Sequence, residues 1–209
     1  MNILHLDSSI LGTASITRAL GRRLVERLAR DLPGATVHYR DLADNPVPHL
    51  SGAFLAAQAA DDSAGQFGAE IALSDEIIQE FLAADVLVIG APMYNFSIST
   101  QLKAWIDRIA VAGRTFAYSP NGPVGLAGGK KIYVISGRGS SFAAGSPVEP
   151  WDFQEPYLRA ALGFVGITDI DFIRAEGVAR SELRDAAIAS AEYAIDAMDI
   201  GIGPLLEAA

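Results

Sequence analysis

The chain has 209 residues, 50% hydrophobic and 20% charged, so it can bury one sizeable core, and it has no run near the ~20 apolar residues that a membrane-crossing helix needs. A net charge of −9 argues against a phosphate-backbone partner, because the arginines of RALGRRLVERLAR (18–30) fall on the outer face of an amphipathic helix. With no cysteine there are no disulfides, thiolate nucleophiles or thiolate metal sites, and a reducing, cytoplasmic setting is expected.

MNILHLDSS lacks a basic leader region, so a secretory signal is not expected. NILHLD (2–7) reads as a buried strand. Ile16, Leu20, Leu24 and Leu28 then recur on one face of a helix that ends near Pro33-Gly34. ATVHYRDL (35–42) reads as a more exposed, alternating strand. The Pro-, Gly- and Asp-rich stretch 43–66 is an irregular connection with one short helix around 51–59. Phe67–Ala83 is helical, with Ile71, Ile77, Ile78, Phe81 and Leu82 as its apolar residues. DVLVIG (85–90) is the most strand-like run.

Ser99 or Thr100 caps a helix through about Ala112, which Gly113 ends. FAYSPNGPVGLAGG (116–129) has hairpin character, KKIYVISG (130–137) is another buried strand, and 138–151 is a small-residue loop. A helix over 156–163, a strand over 168–177 and a last helix follow. Leu183, Ala187, Ala191, Ile195 and Met198 form the apolar face of that last helix. Strand–helix alternation predicts a parallel sheet covered on both faces. The economical answer is one α/β domain over 1–209, doubly wound and three-layered, with five strands in the flavodoxin-like order 2-1-3-4-5.

In such a sheet ligands bind beyond the carboxyl ends of the strands, where the order reverses. DSSILGTASIT (7–17) puts Ser8, Ser9, Thr13, Ser15 and Thr17 before a helix whose free N–H groups favour phosphate; the simpler alternative is that Ser15 only caps the helix. GAPMYNFSIST (90–100) offers Met93, Tyr94 and Phe96 as an apolar shelf with Asn95 at its edge. A neighbouring helix or subunit would cover that shelf equally well. SGRGSS (136–141) adds two glycines that permit close approach, and the cation Arg138. GLAGGKKI (125–132) lacks the spacing and the Ser/Thr of a P-loop, and GRGSSF (137–142) lacks the third glycine of a dinucleotide fingerprint. A cradle, a shelf and a glycine edge together fit FMN. Three scattered histidines supply no metal-ligand spacing, so no metal is expected.

SSILG…S-x-T (8–17), RDLADNPVPHL (40–50), APMYNFSISTQLKAWID (91–107), TF-x-Y-x-x-NGP-x-GL (115–126), GKK (129–131) and LGFVGITD (162–169) resemble the FMN-dependent NADH-azoreductase family, also called NADH:quinone oxidoreductases, along essentially the whole chain. The resemblance implies a flavodoxin-like homodimer with one FMN per subunit and sites at the interface. By the same resemblance the phosphate residues are Ser9, Ser15, Ile16 and Thr17. The ring contacts are Met93, Tyr94, Asn95 and Phe96, and the last cofactor loop is Gly137, Arg138, Gly139 and Ser140. Here that loop reads G-R-G-S where the family commonly has S-R-G-G, and 141–151 is unlike typical members. Tyr118 and Phe164 correspond to aromatic positions near the substrate, Phe164 from the partner subunit.

The expected reaction is ping-pong: NADH gives hydride to the flavin, then a quinone or azo compound takes the electrons, with two cycles for each azo bond cleaved to amines. No catalytic acid is assigned; Tyr118 or solvent would supply protons. A flavodoxin-type electron carrier, or a flavin-binding regulatory module, is the alternative. A serine hydrolase is disfavoured, because His5, His38 and His49 are not placed to serve HLDSS (5–9) and there is no G-x-S-x-G elbow.

Overall fold

A strand covered on both faces needs apolar side chains at successive positions, and VLVIGAP meets that demand at all seven. In the computed structural model, which describes residues 1–200, this strand is the middle of a five-stranded sheet. In chain order the elements are β1 (Asn2–Asp7), α1 (Ile16–Asp31), β2 (Thr36–Asp41), α2 (Gly52–Ala59), α3 (Gly68–Ala83) and β3 (Val86–Pro92). Then come α4 (Thr100–Ile109), β4 (Phe116–Ser119), β5 (Gly122–Gly125), β6 (Lys131–Arg138), α5 (Glu155–Phe164), β7 (Ile170–Glu176) and α6 (Ser181–Ala197). The sheet runs β2-β1-β3-β6-β7, every pair parallel, which is the expected 2-1-3-4-5 order counted over its own strands. Strands β4 and β5 form a separate antiparallel hairpin. Of the domain expected over 1–209, residues 201–209 lie outside the described residues.

The period of two divides the core between the faces. Leu87, Ile89 and Ala91 of β3 join Ile132 and Val134 of β6 under α3, α4 and α5, where Trp105 meets Phe81 edge to face at 5.8 Å. Val86, Val88, Tyr133 and Ile135 point the other way, onto Leu20, Leu24 and Leu28 of α1 and Ala191 and Ile195 of α6. At ~25 cal/mol per Å² these two layers are the main source of stability. No described helix is long and apolar enough to cross a membrane.

Three local expectations differ from the structure. Helix α4 stops at Ile109 rather than Ala112, because the Thr115 hydroxyl donates to the Ile109 carbonyl at 2.5 Å and accepts the Val111 N–H at 2.9 Å. Strand β2 is exposed along Thr36–Tyr39 rather than alternating, since it lies at the edge of the sheet. On α6 only Ala191 and Ile195 are buried; Leu183 is exposed, so the first turns of that helix pack lightly.

Candidate active site

The order reverses between β1 and β3, and their carboxyl ends and that of β6 open on one edge of the sheet. After β1 the hydroxyls divide their tasks. Ser8 turns inward and donates to the Gly90 carbonyl at 2.7 Å, and Thr13 is exposed. Ser9, Ser15 and Thr17 are buried at the mouth of α1. Ser15 caps the helix, accepting the Arg18 N–H at 3.2 Å, and its hydroxyl lies 3.1 Å from that of Thr17. The N–H groups of Ile16 and Thr17 head the helix with no intrahelical acceptor. The result is a concave set of donors at the positive end of a helix dipole.

The loop after β3 turns within four residues. Tyr94 and Ser97 exchange both backbone hydrogen bonds (2.9 and 3.1 Å), and Asn95 (φ 47°) and Phe96 (φ 74°) are both left-handed. Asn tolerates that conformation, whereas for Phe it costs about 1–3 kcal/mol. Folding back on itself, the turn lifts the Phe96 ring clear of the core. Tyr94 reaches the cradle: its hydroxyl is 3.2 Å from that of Ser9 and accepts the Ile10 N–H at 3.3 Å. Met93 donates its N–H to the Gly137 carbonyl at 2.8 Å.

The β6 exit closes the third side. A Cβ on Gly137 would stand 2.8 Å from the Thr17 methyl, so a larger residue would push that hydroxyl out of register with Ser15. This close approach gives a physical reason for glycine at 137. Ser9, Ser15, Thr17, Met93, Tyr94 and Gly137 are thus joined by contacts at one edge, with Ile16, Asn95 and Phe96 beside them; Gly139 faces the loop before α6, its carbonyl accepting the Ala179 N–H at 3.3 Å, and Ser140 is exposed.

Arg138 corrects an expectation. Its guanidinium offers the loop edge no cation; it is buried among Asp152 (3.0 Å), Glu155 (2.7 Å) and Glu176 (3.2 Å). Its Nε donates to Ser136 Oγ at 2.8 Å. The fully buried Gln154 joins this cage to β3 by donating to the Ala91 carbonyl at 3.0 Å. Strand β6 delivers residue 138 to the α5 side, and three carboxylates there leave the cation no reason to turn out.

Tyr118 and Phe164 are brought together, but not to this site. Both contact Phe116, at ring separations of 5.4 and 4.5 Å. Helix α4 runs back from the site before the hairpin begins, and α5 ends just before β7 starts, so both residues belong to the opposite, amino edge of the sheet. Tyr118 thus belongs with Phe164, away from the cradle.

A charged cluster beside the cradle had escaped the sequence. Arg18 pairs with Asp41 and, at 3.6 Å, with Asp7, and donates to the Ser9 carbonyl at 3.4 Å. Tyr39 donates to Asp7 at 2.9 Å. Burial tends to raise the Asp41 carboxyl, but the Arg18 hydrogen bond and the amides of Ala43 and Asp44 outweigh it and hold it below its ordinary value. Burial pushes the Tyr39 hydroxyl up, and Asp7 adds to the effect. His5 Nε2 and Asp7 Oδ1 lie 3.8 Å apart and have no hydrogen-bond partner among the described residues. The signal available in the sequence was an Asp on β1 aligned with an Asp on β2, in register as Asp7 and Asp41, but register is not legible in a linear chain.

The family profile described as a flavodoxin-like fold matches residues 1–198. A protein of Ralstonia nicotianae named FMN-dependent NADH:quinone oxidoreductase is 54% identical over 199 residues, which covers 93% of this chain and 95% of that protein. The chain belongs to the FMN-dependent NADH:quinone oxidoreductase family. Another enzyme of that name, from Methylocella silvestris, is 50% identical over 200 residues, 95% of this chain and 97% of its own length. Among solved structures, an FMN-dependent NADH-azoreductase from Bacillus anthracis in complex with FMN superimposes with a TM-score of 0.80 at 26% identity, covering 94% of this chain and 98% of that one. An azoreductase from the Sterne strain of Bacillus anthracis gives 0.83 at 25% identity over 94% and 97%. As in these FMN-dependent NADH:quinone oxidoreductases and azoreductases, the architecture is flavodoxin-like.

Proposed function

We propose that the chain is a cytoplasmic homodimer binding one FMN per subunit in a single domain, and that it transfers reducing equivalents from NADH to quinones and, by reductive cleavage, to azo bonds. The observation that carries this reading is the junction of a hydroxyl-rich donor cradle with an aromatic turn through the Tyr94 and Ser9 hydroxyls. These residues fit the cofactor. Ser9, Ser15 and Thr17 with the Ile16 and Thr17 amides suit a phosphate monoester, each charge-assisted hydrogen bond contributing ~1.5–3 kcal/mol. Met93, Tyr94 and Phe96 suit the face of a flat ring, with Asn95 and the 137–140 backbone at its polar edge. When bound, FMN supplies the ring that accepts hydride from NADH and returns electrons to an acceptor.

The chain's own residues orient the reactants and exclude water. No histidine lies on the rim, since His5 is buried in β1 and His38 and His49 are exposed elsewhere, so a general base is not part of the reading. Donor and acceptor use the same site in turn, a ping-pong order. An azo bond consumes two NADH and two protons to give two amines. The protons come from solvent or from the Tyr118 hydroxyl. The place of Tyr118 and Phe164 at the opposite edge of the sheet supports the dimer: if these rings serve the acceptor, as the family resemblance implies, a second copy is what supplies them.

The test is anaerobic spectroscopy. The flavin-loaded protein should bleach with NADH and recover its visible bands with a quinone, and initial rates at several fixed quinone concentrations should give parallel double-reciprocal lines. A flavin that NADH leaves oxidised would make the protein a carrier or a regulator. Intersecting lines would remove the ping-pong order alone.

A further inference from the structure

Beside the turn after β3, three aromatic side chains stand out into solvent. Phe96, Trp151 and Phe153 are 46%, 51% and 59% exposed, and each is anchored from behind. Phe96 and Trp151 meet edge to face at 5.6 Å, and the Phe153 N–H donates to the Phe96 carbonyl at 3.0 Å. Asp152, between the two loop aromatics, accepts the Gln154 and Glu155 N–H groups at 2.9 and 3.2 Å and pairs with Arg138 at 3.0 Å. Pro150 stiffens the one-turn helix Glu149–Trp151 that presents the indole. The loop 138–151 is thus tied to the carboxylate cage behind β6, and its rings are held rigidly in water, where each forgoes the gain of burial.

Two occupants compete for such a surface, a second copy of the chain and a ligand. The left-handed backbone of Phe96 stores strain at this point, which is usual at binding sites. The rings also continue the Met93–Phe96 shelf through the Phe96–Trp151 contact, so a flat ligand lying on that shelf meets them directly. We propose that Trp151, backed by Phe153, is a specificity-determining residue of the acceptor site that holds the distal ring of fused-ring quinones. The proposal rests on the oxidoreductase reading above. An offset or edge-on aromatic contact selects acceptors with a second ring over those with one.

The experiment compares kcat/KM for 1,4-naphthoquinone with that for 1,4-benzoquinone, using the flavin-loaded protein, in W151A, W151F and the distant surface control Y193A. The ratio should fall about tenfold in W151A, on the scale of one lost aromatic contact with its buried area. It should return to within twofold in W151F and stay unchanged in Y193A. A W151A ratio within twofold of the parent, or equal losses in W151A and W151F, overturns the proposal. Binding is read separately from turnover. Trp105 is fully buried, so the emission lost in W151F belongs to Trp151, and naphthoquinone added without NADH should quench it saturably. Saturable quenching without turnover leaves the platform standing and removes the oxidoreductase reading; turnover with an unchanged ratio removes the platform alone. If acrylamide fails to reach Trp151 in the ligand-free protein, a second copy covers it and the proposal falls.

Discussion

Tyr94 shows how much one hydroxyl can join. It touches the Ser9 hydroxyl and takes the Ile10 N–H, so it holds the loop after β1 against the turn after β3. The ring of Tyr94→Phe keeps the apolar shelf but cannot make that link. A neutral hydrogen bond is worth about 1 kcal/mol net, so FMN should bind about fivefold more weakly in the variant, with the urea midpoint nearly unchanged. Fluorescence titration of released FMN measures it, and an unaltered dissociation constant would mean that Tyr94 acts only through its ring. In the sequence, M-Y-N-F is legible as an apolar shelf. The left-handed pair Asn95–Phe96 is not, because Phe is among the residues least expected at positive φ.

At the scale of elements, the cage around Arg138 fastens the end of β6 to the start of α5 and the end of β7. Asp152, Glu155 and Glu176 converge on one guanidinium, and Arg174 shares Glu155 at 2.6 and 2.7 Å. Removing the central cation leaves buried carboxylates facing one another. Arg138→Met should therefore cost about 3–5 kcal/mol, the usual penalty for breaking a buried pair, read as a lower urea midpoint. A loss below about 1 kcal/mol would show that water enters the cage and screens it. A reading along the chain sees Arg138 beside two glycines and infers an open cation, since the acids that claim it come from 14 to 38 residues later. Most helices and strands, by contrast, were legible to within two or three residues, because apolar period and capping residues are local. The early end of α4 was missed, because its cap is the Thr115 hydroxyl beyond the turn.

Across the whole molecule, acid should weaken the fold in two stages. Burial lowers His5 from its ordinary 6.5, and the Asp7 carboxylate offsets this only in part. The unfolded chain then takes up a proton at His5 that the folded chain refuses. Stability from this group is complete above pH 6.5 and declines as pH falls below it towards the depressed folded value. Asp41, held below its ordinary 3.8, adds a second loss as pH falls through the still lower range. Urea unfolding between pH 7.5 and 5 should show a falling midpoint in the parent and a shallower fall in His5→Gln. Equal slopes would assign the effect to other groups.

The sequence by itself determined the layers, because buried parallel strands and amphipathic helices write their periods into consecutive residues; right-handed crossovers narrowed the strand order to a few choices, of which the pairing in the structure selects one. It also marked the hydroxyl-rich, aromatic and glycine loops as the edge to watch, since strand exits of a doubly wound sheet converge there. Only the tertiary structure decided which side chains face that edge. Ser8 and Arg138 turn inward, Tyr118 and Phe164 leave for the opposite edge, and Trp151 and Phe153 arrive beside Phe96. The direction of a side chain depends on partners far along the chain: a carbonyl on β3, carboxylates on α5 and β7, a ring on another loop. Local sequence carries no record of those distances.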